Sequence, residues 1–303
     1  MIDPVLQQIL AGMAASGFAL PDPLEAKILR AMLDHPLPIP LIEIAEVRNL
    51  NMKGGAGQIP ARLYHPAPSK TLPLTIMIHG GGWVVGTLET QDAMARLVAR
   101  DAHCAVLSLA YRLAPEHPFP AGFEDVCAAV IDSQTRAQEL GVIPGIYALA
   151  GDSSGGNLAA AAAIALARLP KPPIHQLLFY PVMDRDFNRV SYRKNPADGF
   201  LPTAMMQFFW QEYLGNAELD ERSAPLYAKE LSHVAPATII LAGNDPLHDE
   251  GFAYAQKLQE AGVPTNLHDF AGGIHGFASF AGLAPIADLA MNIGISALRI
   301  AFA

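Results

Sequence analysis

The chain has 303 residues, 51% hydrophobic and 16% charged, with a formal net charge of −9 at pH 7. The acidic balance and the lack of a basic run argue against a nucleic-acid partner. No apolar stretch approaches the roughly 18 clean residues of a membrane span. The length and the large apolar fraction suit one α/β domain with an added subdomain, built on a parallel sheet buried on both faces.

Residues 1–42 read as helical segments broken by Pro21, Pro23, Pro36, Pro38 and Pro40. The first of these, with an early acid and glutamines and no basic n-region, reads as an amphipathic helix rather than a signal peptide. Two strands are expected at 42–52 and 59–64, joined by a turn at Gly54, Gly55, Ala56 and Gly57. That glycine cluster is not a phosphate loop, because no Lys-Ser/Thr pair follows and no helix begins there. Strands at 74–79, 104–110, 146–150 and 175–180 then alternate with helices at 90–101, 121–138 and 156–168, the βαβ rhythm of a parallel sheet. Cys104 and Cys127 fall within this region and are expected as two buried thiols, which fits a reducing cytoplasm better than a disulfide framework.

The rhythm breaks between 183 and 225. Residues 186–198 are polar and irregular, and 202–214 form an aromatic-rich helix. Its Met205, Met206, Phe209, Trp210 and Tyr213 spread too widely for one core stripe. Met205, Phe209 and Trp210 are therefore expected to line a substrate pocket. Strand 237–242, helix 249–261, strand 264–270 and helix 284–301 complete the chain.

Two glycine-rich stretches carry the chemistry. Gly151-Asp152-Ser153-Ser154-Gly155-Gly156 fits G-x-S-x-G between a strand and an Ala-rich helix, the pattern of a nucleophile elbow. Its glycines lie two before and two after Ser153, which makes Ser153 the nucleophile and Ser154 a decoy. Asp152 adjoins the nucleophile, so its side chain points away. His79-Gly80-Gly81-Gly82-Trp83 follows another apolar strand and brings bare main chain close to the same place. The N–H groups of Gly81, Gly82 and Ser154 are expected to form an oxyanion hole. His79 would shape that loop rather than act as a base. A nucleophile and an oxyanion hole on adjacent strands imply acyl transfer, most simply ester hydrolysis.

The base and acid should follow in the order Ser, Asp or Glu, His, on loops after late strands. His275 sits in a glycine-flanked loop (AGGIHGF) that can reach the elbow, whereas His175, His233, His248 and His268 read as structural or surface residues. Asp245 is the first carboxylate beyond strand 237–242 and ranks ahead of Asp184. Asp249 and Glu250 read as first-turn residues that favour a helix dipole. No H-E-x-x-H motif or Cys/His cluster suggests a metal.

Taken together, HGGGW, GDSSGG, YRLAPE (111–116), HPFPA (117–121), DPLHDEG (245–251) and His275-Gly276-Phe277 resemble the hormone-sensitive-lipase-like carboxylesterase family. The resemblance covers nearly the whole chain and implies an α/β-hydrolase fold with a mostly parallel sheet of about eight strands. It implies a core of residues 43–182 and 226–303 under a helical cap of residues 1–42 and 183–225. It places the triad at Ser153, Asp245 and His275; Trp83, at the end of the glycine loop, is expected beside the leaving-group or acyl site. It further implies a small-molecule ester substrate of short to medium acyl chain and no cofactor. A homodimer through a sheet-edge strand or the C-terminal helix would fit the family. Ser154 stands where the family's elbow usually has Ala, a change that keeps the main-chain N–H. The competing readings are an amidase or deacetylase on the same triad, and a non-catalytic ligand-binding relative.

Overall fold

The computed structural model describes residues 1–194 and 200–303. Helices α1 (Pro4–Ala15) and α2 (Ala26–Leu33) precede an antiparallel pair, β1 (Glu46–Gly54) and β2 (Gly57–His65), closed by a turn at Gly55 and Ala56. Then come β3 (Leu72–Ile78), α3 (Leu88–Ala102), β4 (Ala105–Leu109), α4 (Ala121–Thr135), α5 (Ala137–Leu140), β5 (Val142–Asp152), α6 (Ser154–Ala165) and β6 (His175–Phe179). Two helices follow, α7 (Val190–Lys194) and α8 (Thr203–Leu214), and the chain ends with β7 (Ala237–Asn244), α9 (His248–Glu260), β8 (Thr265–Ile274) and α10 (Pro285–Ala301).

The eight strands form one sheet in the order β1-β2-β4-β3-β5-β6-β7-β8. β1–β2 and β2–β4 are antiparallel, and every later pair is parallel. Successive side chains of a strand point to opposite faces, and the core divides accordingly. Ile76, Leu149, Leu178 and Ile239 join one apolar cluster with α4, α6 and α9. Met77, Ala148, Ala150, Phe179 and Ile240 join a second, with α3, α10 and Leu6 of α1. Both faces are covered, so β4 and β6 are buried at every residue. Helix α6 is buried from Ser154 through Ala163. Its alanines let the helix lie close to the sheet, which larger side chains would prevent.

Several local expectations need correction. The helix after the elbow begins at Ser154 rather than Gly156. The expected helix 121–138 breaks at Arg136 into α4 and α5. β8 runs to Ile274, so His275 follows a strand directly and its glycine flanks include the strand's own end. Part of the stretch read as irregular at 186–198 is α7, and its residues 195–198 lie outside the described residues. Both cysteines are free, with Cys104 buried just before β4 and Cys127 only partly buried. Among the described residues no helix is long and apolar enough to cross a membrane.

Candidate active site

Strand β5 passes into α6 through Ser153, whose backbone is held at φ 54°, ψ −121°. A non-glycine residue in that region is strained, and the surrounding contacts must hold it there. A Cβ on Gly151 would lie 2.3 Å from the carbonyl oxygen of Gly155, and one on Gly155 would lie 2.0 Å from that of Ile78. The two glycines thus exist for the close approach of the turn to its own helix and to β3. The Ser153 N–H donates to the Phe179 carbonyl at 2.9 Å. Buried Asn157 bonds the Val182 and Ser223 carbonyls at 3.0 and 2.9 Å, tying the helix start to the chain beyond β6.

His275 lies between Ser153 and Asp245. Its Nε2 is 2.9 Å from Ser153 Oγ and its Nδ1 is 2.7 Å from Asp245 Oδ2. Because the carboxylate can only accept, Nδ1–H is the donor to it and Nε2 is free to accept from the hydroxyl. Asp245 follows β7 and is fully buried, and its other oxygen accepts the Leu247 N–H at 2.9 Å. Asn244 beside it donates to the Ala271 and Gly273 carbonyls, joining the acid's loop to the histidine's strand. Tyr180 packs edge-on against the imidazole at 5.0 Å.

On the other side lies the glycine loop. Gly81 and Gly82 adopt φ 119° and 58°, in the region glycine favours, and Trp83 follows at 60°. A Cβ on Gly82 would meet the Phe209 ring at 2.1 Å. Among the described residues the N–H groups of Gly81 and Gly82 meet no acceptor of the chain. Ser154, as the first residue of α6, has no intrahelical acceptor for its N–H. Its hydroxyl is buried beside that of Tyr111 and makes no hydrogen bond of ordinary geometry.

The other candidate titratable groups lie outside this relay. His79 stacks on Tyr111 at 4.5 Å and donates from Nδ1 to the Gly80 carbonyl at 2.8 Å. Burial lowers its pKa to about 4, so it is neutral at pH 7 and serves as a brace. Asp152 accepts the Gly80 N–H at 3.0 Å, facing the glycine loop, and burial raises its carboxyl above the ordinary range. Asp184 pairs with Arg189. His175 bonds Thr238, His248 lies between Asp249 and Asp269, His268 is on β8 and His233 is exposed. Glu250 lies in the first turn of α9 as expected, and it is fully buried there and accepts the Met183 N–H at 2.8 Å.

A cavity of about 370 Å³ opens onto Ser153 and His275. Gly81, Gly82, Met205 and Phe209 line it, as does Phe200. Trp83 and Trp210 do not. Trp83 stacks on Tyr213 at 4.1 Å and tilts against Trp210 at 4.7 Å, forming a buried aromatic group behind the glycine loop. The tryptophans are therefore placed as core, because α8 is apolar on more than one side and its second side meets Trp83. The sequence reading missed Met13, Phe18, Met32 and Leu33 from the N-terminal segment and Met94 of α3, all of which line the cavity. The available signal was the apolar content of proline-flanked helices too short to form a core alone. A larger hollow of about 540 Å³, beside α10 and His175, contains none of the site residues. Among the described residues no group of three or more His, Cys, Asp or Glu side chains could hold a metal.

A profile of the α/β hydrolase fold family matches residues 75–279. The chain is similar to the carboxylic ester hydrolase LipN of Mycobacterium tuberculosis, at 40% identity over 98% of this chain and 82% of that protein. It is 35% identical to an ethyl acetate hydrolase of Pseudomonas putida over 80% of this chain and 78% of the other. Among solved structures, an ester hydrolase from the metagenome of Lake Arreo, complexed with a bipyridine phosphonate derivative, superposes with a TM-score of 0.92. It is 34% identical and covers 99% of both chains. A thermophilic carboxylesterase from a metagenomic library gives a TM-score of 0.88 at 35% identity, covering 94% of this chain and 100% of its own. The chain therefore belongs to the α/β hydrolase fold family, in the hormone-sensitive-lipase-like group that its motifs resemble.

Proposed function

We propose that the protein is a serine carboxylesterase hydrolysing small-molecule esters of short to medium acyl chain. The relay from Ser153 through His275 to Asp245, at 2.9 and 2.7 Å, carries this reading. In the cycle, His275 Nε2 takes the proton of Ser153 as Oγ attacks the ester carbonyl. Asp245 holds the tautomer and stabilises the imidazolium. The N–H groups of Gly81, Gly82 and Ser154 bind the tetrahedral oxyanion, each such donor being worth about 100- to 1,000-fold in rate. His275 then protonates the leaving alcohol, the alcohol departs, and water repeats the sequence on the acyl-enzyme.

Residues 1–42 and 183–225 act as the cap over a core of residues 43–182 and 226–303. The cavity walls supplied by Met13, Met32, Met205 and Phe209 support that division. Those apolar walls suit an uncharged acyl chain, and about 370 Å³ suits one of short to medium length. Met205 and Phe209 contact the substrate, while Trp83 and Trp210 back the wall. Two unpaired cysteines support a cytoplasmic setting. Exposed Leu289 and Ile300 on α10 support a homodimer contact there. The test is hydrolysis of p-nitrophenyl esters from acetate to palmitate by the wild type and by Ser153→Ala. A short- to medium-chain optimum that vanishes in the variant is expected. Activity retained in the variant at more than about a hundredth of wild type would remove Ser153 from the mechanism.

A further inference from the structure

The loop from Gly80 to Gly86 follows a left-handed course that its glycines accept and Trp83 does not favour. Gly81, Gly82, Trp83 and Gly86 all have positive φ. Within the loop, the Val84 and Val85 N–H groups both donate to the Gly81 carbonyl, at 3.1 and 2.9 Å. The Ala114 N–H holds the Trp83 carbonyl at 2.9 Å. Two further main-chain groups, the Val84 carbonyl and the Gly86 N–H, are taken by Arg30 of helix α2 and by Asp34, the residue that caps it. Arg30 Nε donates to the Val84 carbonyl at 2.8 Å, and the Asp34 carboxylate accepts the Gly86 N–H at 2.6 Å. Among the described residues no other group bonds either of them.

Arg30 is itself fixed. Its Nη2 donates to the Ala114 carbonyl at 2.8 Å, and its two terminal nitrogens grip Glu116 at 2.7 Å each. One guanidinium thus bridges the glycine loop to the segment that also holds Trp83. A planar fork with five donors can do this, and an ammonium cannot make all four bonds from one geometry. Leu29, fully buried, anchors α2 to the core. Met32 and Leu33, on the same helix, line the cavity.

We propose that Arg30 and Asp34 are positioning residues for the oxyanion hole, fixing Gly81 and Gly82 from outside through Val84 and Gly86. The inference rests on the esterase reading above. It means that α2 serves as pocket wall and as oxyanion support at once. Changes of substrate fit at Met32 or Leu33 are then transmitted to catalysis as well as to binding.

The test compares Arg30→Met, Arg30→Lys, Asp34→Ala and Asp34→Asn with wild type on a short-chain p-nitrophenyl ester. Active serines are counted by titration to completion with a fluorophosphonate, so that kcat is expressed per competent site. Arg30→Met and Asp34→Ala should lose about 10- to 100-fold in kcat per titrated serine, with KM within about threefold, since the donors are displaced rather than removed. Asp34→Asn keeps an acceptor for Gly86 and should recover most of the loss. Arg30→Lys should lie between wild type and Arg30→Met. Inhibition by a trifluoromethyl ketone, whose hemiketal oxyanion occupies the hole, should weaken in parallel. If kcat per titrated serine is unchanged, or only KM moves, the positioning role is overturned while the esterase reading stands. Wild-type protein that hydrolyses no ester removes both.

Discussion

Glu250 accepts a hydrogen bond from the main-chain N–H of Met183 at 2.8 Å, joining the helix that follows Asp245 to the chain leaving β6. Its other oxygen makes no hydrogen bond of ordinary geometry. Burial raises its carboxyl well above the ordinary 4.5, with the Asp184 charge adding to the effect and Arg189 opposing it. Tyr192 also faces this group. A carboxyl whose folded value exceeds its unfolded one makes its greatest contribution below the unfolded value. That contribution is lost as pH rises through the folded value. Glu250→Gln keeps the acceptor for Met183 and removes the titration. The variant should gain on wild type in urea midpoint as pH rises from about 4.5 toward 8, and a constant difference would refute the account.

Asp245→Asn tests the role of the acid separately from its fold. The amide oxygen can still accept the Leu247 N–H. The amide cannot hold His275 in the tautomer with Nε2 free. A loss of about 10,000-fold in kcat with little change in thermal unfolding is expected. A loss under tenfold would mean that another group orients His275.

Gly155→Ala sets a Cβ 2.0 Å from the Ile78 carbonyl oxygen, main chain against main chain. No flexible side chain can yield there. Destabilisation at or above about 3 kcal/mol is expected, read as a fall in urea midpoint, together with loss of activity from displacement of Ser153. Near-native stability would show that the elbow can open without cost.

Phe209 and Trp210 are neighbours on α8 with different surroundings. Phe209→Ala removes a ring that lies against Gly82 and lines the cavity. It should shift the acyl-length optimum upward while costing about 3–5 kcal/mol of stability. Trp210→Phe removes a buried indole N–H that has no partner and should leave the acyl-length profile in place. Equal shifts in the two variants would place both side chains against the substrate.

The residues of the proposed relay were legible in the amino-acid order because each is marked by a local pattern. Glycines two before and two after Ser153 mark the close approach of strand to helix. Asp245 is the first carboxylate past an apolar strand, and His275 lies between glycines after another. Alternation of apolar strands with helices likewise determined a buried parallel sheet, since only that arrangement covers so much apolar surface. Tertiary structure alone decided which side of α8 meets the cavity, because its apolar residues are too widely spread to mark one side until Trp83 stacks on Tyr213 and takes the other. It alone decided that Glu250 turns inward, as its i, i+1 neighbour Asp249 is equally suited to a first turn. It alone joined Arg30 to Val84 and Asp34 to Gly86, 54 and 52 residues apart. Such bonds leave no periodicity in the chain, because the main-chain groups they satisfy are the same at every residue and only the folded path selects which of them need a partner.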